Sequence, residues 1–70
     1  MVQFYKNHNV EVSVSLNGEA WFINVFIYYR KEATNMLVTF AVNERFTTYD
    51  KAVEAGLAAA RRWIDSANEL

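Results

Sequence analysis

Val10-Glu11-Val12-Ser13-Val14-Ser15-Leu16-Asn17-Gly18-Glu19-Ala20-Trp21-Phe22-Ile23-Asn24-Val25-Phe26-Ile27-Tyr28 is the stretch that decides the fold of this chain. Its first part alternates apolar Val10, Val12, Val14 and Leu16 with polar Glu11, Ser13 and Ser15, the period-two pattern of a strand with one buried face. Asn17-Gly18 follows, a dipeptide suited to the positive φ angles of a two-residue hairpin turn. Beyond it, Trp21, Ile23, Val25 and Ile27 share one parity and Phe22, Asn24, Phe26 and Tyr28 the other. With Asn17 and Gly18 as the loop residues, Leu16 faces Glu19, Val14 faces Trp21, Val12 faces Ile23 and Val10 faces Val25. On the reverse face Ser13 meets Phe22, Glu11 meets Asn24 and Asn9 meets Phe26. The aliphatic faces coincide, so the pairing is consistent with a buried side.

Working outward, the polar segment Arg30-Lys31-Glu32-Ala33-Thr34-Asn35 reads as a second turn. Met36 to Val42 then reads as a strand with Met36, Val38, Phe40 and Val42 inward and Leu37, Thr39 and Ala41 outward. This segment is uncharged and lacks Pro, although natural sheet edges usually carry a guarding charge or bulge, which suggests that the edge is paired with a symmetry mate or covered by other residues of the chain. The last third is helical. Ala52, Val53, Gly56, Leu57, Ala59, Ala60, Trp63, Ile64 and Ala67 fall on one stripe at 100° per residue, with Lys51, Glu54, Arg61, Arg62, Asp65 and Glu69 on the polar side. Thr47 or Thr48 is the expected N-cap, with Thr47 and Asp50 in capping-box spacing. Gly56, Ala59 and Ala60 lower the helix surface so that it can lie close on a sheet, and Trp63 is expected to be buried.

The expected fold is therefore α+β, a single domain over residues 1–70. Strands are expected at about 3–16, 20–30 and 36–43 in a three-stranded antiparallel meander, with a helix at about 48–67 across one face. One helix covers one face. The other face then displays Phe22, Phe26 and Tyr28 on the middle strand, Leu37 on one side, and Tyr5 and Arg30 at the margin. A contiguous aromatic patch of this kind marks an interaction site.

Composition narrows the chemistry. The 70 residues carry 7 Lys plus Arg against 8 Asp plus Glu, for a net charge of −1 with the one His neutral. That balance argues against a polybasic arm or an acidic tail. With no Cys there is no disulfide, zinc knuckle or thiol nucleophile. The apolar runs are too short to span a bilayer, and Met1 to Asn7 lacks the form of a secretory signal, so a cytoplasmic location is expected. A core this small supplies only about 3–5 kcal/mol, which raises the expectation of self-association.

Phe46-Thr47-Thr48 followed by Ala52, Gly56, Ala60 and Trp63-Ile64, after a run of strands, resembles small uncharacterised bacterial and phage proteins built as a three-strand-plus-helix unit. More remotely the topology is similar to the three-stranded DNA-binding domains of plant ethylene-response factors and of tyrosine-recombinase arm-binding modules. Those families read the major groove with Arg and Trp on the open sheet face. Here that face offers Glu11, Ser13, Phe22, Asn24, Phe26 and Tyr28, with Arg30 only at the margin and Trp21 turned toward the helix. No DNA-contacting role follows for any of these residues.

No catalytic constellation emerges. His8 reads as a partly exposed residue at a strand end, since one imidazole without further ligands does not make a metal site. Glu11 lies between aromatics but has no second acid, nucleophile or oxyanion donor beside it. The expectation is a non-catalytic module without cofactor or metal, binding another protein or a second copy through its aromatic face. The alternative is a nucleic-acid-binding sheet that stacks bases on the same aromatics. Such sheets need cations for phosphate, and here the cations gather at one end while Glu11 sits mid-face.

Overall fold

The computed structural model describes residues 1–68; Glu69 of the expected polar helix face lies outside them. Four strands, β1 (Val2–Tyr5), β2 (His8–Asn17), β3 (Ala20–Lys31) and β4 (Thr34–Phe46), precede one helix, α1 (Tyr49–Asn68). The strands form a single antiparallel sheet in the order β1-β2-β3-β4. The expected α+β meander is present, but with four strands in place of three. The segment expected as one strand over residues 3–16 is cut by a tight turn at Lys6-Asn7, where φ is 45° and 64°. Two successive positive φ angles are the signature of a type I′ hairpin, and only Asn7 is a residue that favours it.

All three hairpins have two-residue loops. Tyr5 pairs with His8, Asn17 with Ala20 and Lys31 with Thr34. The middle loop is Gly18-Glu19, with Gly18 at φ 68° as the first central residue, the arrangement of a type II′ turn. The register therefore differs by two residues from the one read with Asn17-Gly18 as the loop. Val10 pairs with Ile27, Val12 with Val25, Val14 with Ile23 and Leu16 with Trp21. Because side chains alternate with period two, a two-residue shift leaves every residue of β2 and β3 on its expected face.

Val10, Val12, Ile23, Val25 and Ile27 on the sheet and Ala52, Val53, Leu57, Ala60 and Ile64 on α1 form the buried core. The helix lies chiefly over β2 and β3, so Val38, Phe40 and Val42 of β4 are only half-buried, and Met36 is exposed. Trp63, expected to be buried, is half-buried beside Tyr29, with ring centroids 6.0 Å apart. Ala52, Gly56, Ala60 and Ile64 recur every fourth residue and make one inward row. Gly56 lets that row approach the sheet: a methyl group in its place would stand 2.8 Å from Val12 Cγ1 and 3.3 Å from Ile23 Cδ1.

Thr48 is the N-cap, its Oγ1 accepting the Lys51 N–H at 3.2 Å. Lys51 thus occupies the capping-box position, and Asp50 acts instead as an acidic residue in the first turn. Between Val42 and Phe46, β4 carries extra residues relative to β3, a bulge at the exposed sheet edge. The bulge lies beyond the uncharged Met36–Val42 segment, whose outer edge stays open among the described residues of the single chain, and the N-terminal strand pairs with β2 rather than covering β4.

Candidate interaction face

The sheet face opposite α1 is set by the register. Phe4 of β1, Asn9 of β2, Tyr28 of β3 and Leu37 of β4 lie side by side in one row across all four strands. The next row, two residues along, holds Val2, Glu11, Phe26 and Thr39. Beyond it come Ser13, Asn24 and Ala41, and then Ser15 and Phe22. Phe4, Tyr28 and Leu37 are 67%, 41% and 54% exposed, while Phe22 and Phe26 are half-buried by their neighbours. Glu11 is the carboxylate of this apolar region, Arg30, opposite Asn35, is a cation on the same parity, and Arg45 lines a hollow with Phe22 at the other end of the sheet.

Five of the six residues expected on this face, Phe22, Phe26, Tyr28, Leu37 and Arg30, are on it. Tyr5 is not. A two-residue turn places Tyr5 and His8 on the same side of the sheet, whereas in one continuous strand residues three apart lie on opposite sides. His8 faces the helix, so Tyr5 does too, and Phe4 and Val2 take its place on the open face. The usable signal was Asn7, a residue that tolerates positive φ, followed by the restart of alternation at His8. The expected Glu11–Asn24 neighbours are also separated: Glu11 pairs with Phe26, and Asn24 with Ser13.

On the helix side, Tyr5 joins a polar cluster that fastens β1 to α1. Its hydroxyl donates to both carboxylate oxygens of Asp65, at 3.0 and 3.1 Å. Lys6 Nζ donates to Asp65 Oδ1 at 2.6 Å. The Lys6 ammonium, and then the Tyr5 hydroxyl, hold the Asp65 carboxyl below its ordinary value. The same bond to Asp65 raises Lys6. Asp65 therefore pairs with the turn rather than with Arg61, which stands four residues before it on the helix. Arg61 Nη1 instead donates to Gln3 Oε1 at 3.2 Å, so Arg61 belongs to the β1 flank, not to the solvated helix face.

His8 is 9% exposed, not a partly open strand end. Its ring packs on Tyr29 at a centroid distance of 4.8 Å, and Nδ1 lies 2.6 Å from the Lys6 carbonyl oxygen. Among the described residues no three His, Asp or Glu side chains are grouped to hold a metal ion. No described helix is long and apolar enough to cross a membrane. Comparison of the chain with protein-family models, with curated proteins and with solved structures gives no match.

Proposed function

We propose that this chain is a non-catalytic module that associates with a second copy of itself, open face to open face. The observation that carries the reading is the exposed row Phe4, Tyr28 and Leu37, running across every strand and continuous with Phe26 and Val2. Strands about 4.8 Å apart and 4 to 13 residues long present a face on the order of 600 Å² at most, the size of a small interface rather than the roughly 800 Å² that each partner buries in a standard stable complex.

Charge placement favours a symmetric partner. A two-fold axis lying along the Phe4–Asn9–Tyr28–Leu37 row sets Phe4, Tyr28 and Leu37 each against its own mate. It also sets Phe26 opposite Arg30 of the other copy and carries Glu11 to one strand spacing, about 4.8 Å, from that position. Aligned sheets of this kind pack with strands within about 30° of each other. A nucleic-acid partner is less well served, because Glu11 sits mid-face among the aromatics, where it repels phosphate.

Light scattering behind a sizing column tests the reading. Wild type is expected to run as a dimer at micromolar concentration. Tyr28→Glu buries two unpaired carboxylates against each other and is expected to give a folded monomer. Arg62→Glu, on the exposed helix surface, leaves the dimer intact. Glu11→Arg and Arg30→Glu each weaken association, and the double reversal restores it. A wild type that stays monomeric at high micromolar concentration sinks the proposal; salt-sensitive binding of a single-stranded oligonucleotide through Tyr28 would replace it with the nucleic-acid reading.

A further inference from the structure

On the helix side, remote from the open face, the last turn of α1 and the end of β3 enclose a cleft of about 300 Å³ lined by His8, Tyr29, Arg30, Lys31, Trp63 and Ala67. Its size is at the lower end of small-molecule sites.

Three features of this cleft are chemically specific. The Tyr29 and Trp63 rings pack on each other, centroids 6.0 Å apart at 49°, and together make one apolar wall against which a flat apolar body can lie. The second feature is the His8 ring. A carbonyl oxygen can only accept, so the 2.6 Å contact with the Lys6 carbonyl places the proton on Nδ1 of the neutral imidazole. Nε2 is then a lone-pair acceptor, and it has no partner among the described residues. No fully buried side-chain nitrogen or oxygen among them lacks a partner, so Nε2 keeps solvent contact, and the ring's small exposure opens on the cleft that it lines. The third feature is cationic. Lys31 shares the helix-side parity of Tyr29 and lines the cleft together with Arg30, whereas Lys6 next to His8 is already engaged by Asp65.

We infer that this cleft binds a small planar aromatic acid that carries a hydroxyl or N–H donor: the ring lies against Tyr29 and Trp63, the donor reaches His8 Nε2, and the acid group meets Lys31, while the Arg30 side chain stays on the open face. Nothing in this site depends on the dimer, since it lies on the other side of the sheet.

The test is a titration of the ¹⁵N-labelled full chain with 4-hydroxybenzoate, benzoate and 4-methylphenol, followed at the two indole N–H signals. Trp21 packs on Tyr49 beyond the opposite end of the helix and serves as the internal control. The expected result is a saturable shift at Trp63 and none at Trp21 with 4-hydroxybenzoate. Benzoate, without the donor, and 4-methylphenol, without the charge, each bind at least about fivefold more weakly. Lys31→Met, an exposed change that leaves the fold intact, lowers 4-hydroxybenzoate affinity about fivefold or more and leaves 4-methylphenol unchanged. The inference is overturned by any of three results: no saturation up to about 10 mM, a Kd that corresponds to only some 2.7 kcal/mol of binding; equal affinity for the three probes; or an unaltered affinity in Lys31→Met.

Discussion

Gly56→Ala opposes two effects of known size. In a helix interior, Ala is favoured over Gly by about 1 kcal/mol. Against that, the added Cβ would sit 2.8 Å from Val12 Cγ1, 3.1 Å from Val12 Cγ2 and 3.3 Å from Ile23 Cδ1. Ordinary carbon contacts are about 3.5–4.0 Å. The Ile23 tip can rotate aside, but Val12 is short, β-branched and 2% exposed, so it has nowhere to turn. The remaining escape is for α1 to lift by roughly 0.5–1 Å, which forfeits a quarter to a half of the dispersion energy of the neighbouring contacts. Overpacking of this kind costs about 1–3 kcal/mol, and the close Val12 contacts put this site in the upper half of that range. The net expectation is a loss of about 1–2 kcal/mol, a large share of what so small a core supplies. Thermal unfolding followed by circular dichroism is expected to move down by about 5–15 °C. Val12→Ala removes the obstructing methyls, so in the double variant the two losses combine to at least about 1 kcal/mol less than their sum. A Gly56→Ala protein that melts at or above wild type would refute the close-approach reasoning.

The outer hairpin turn is open to improvement: Glu32 and Ala33 hold φ of 50° and 63° without being Gly or Asn, so Glu32→Asn with Ala33→Gly is expected to stabilise by about 1–2 kcal/mol, read as a higher urea midpoint with unchanged slope. The Asp65 cluster predicts a pH profile. A carboxyl lowered in the fold stabilises above its ordinary value near 3.8 and loses that contribution as pH falls through the lowered one. A raised Lys6 stabilises below 10.5 and loses its contribution as pH climbs past the raised value. Asp65→Asn is therefore expected to lower the melting temperature slightly between pH 5 and pH 9 and to converge on wild type in strong acid; a deficit that stays constant down to pH 2 would show that charge is not its source.

The amino-acid sequence alone determined which side of β2 and β3 each residue occupies, because alternation is a local property and survives a two-residue error in register. The stripe on α1 and the role of Gly56 were legible for the same reason: a residue without a side chain amid small neighbours reports a close approach in any compact packing. Phe22, Phe26, Tyr28 and Leu37 could accordingly be placed on one face without knowledge of the partner strands. The extra hairpin was only faintly legible, since Lys6-Asn7 contains neither Gly nor Pro and Asn7 alone marks the positive φ that the turn requires. That turn exchanges Tyr5 for Phe4 on the open face and carries Tyr5 and Lys6 to Asp65, 60 and 59 residues away in the chain. The burial of His8 was equally a tertiary decision. Only the folded chain brings Tyr29 against its ring and closes α1 over that end of the sheet, although the hydrogen bond from Nδ1 to the Lys6 carbonyl is local to the turn.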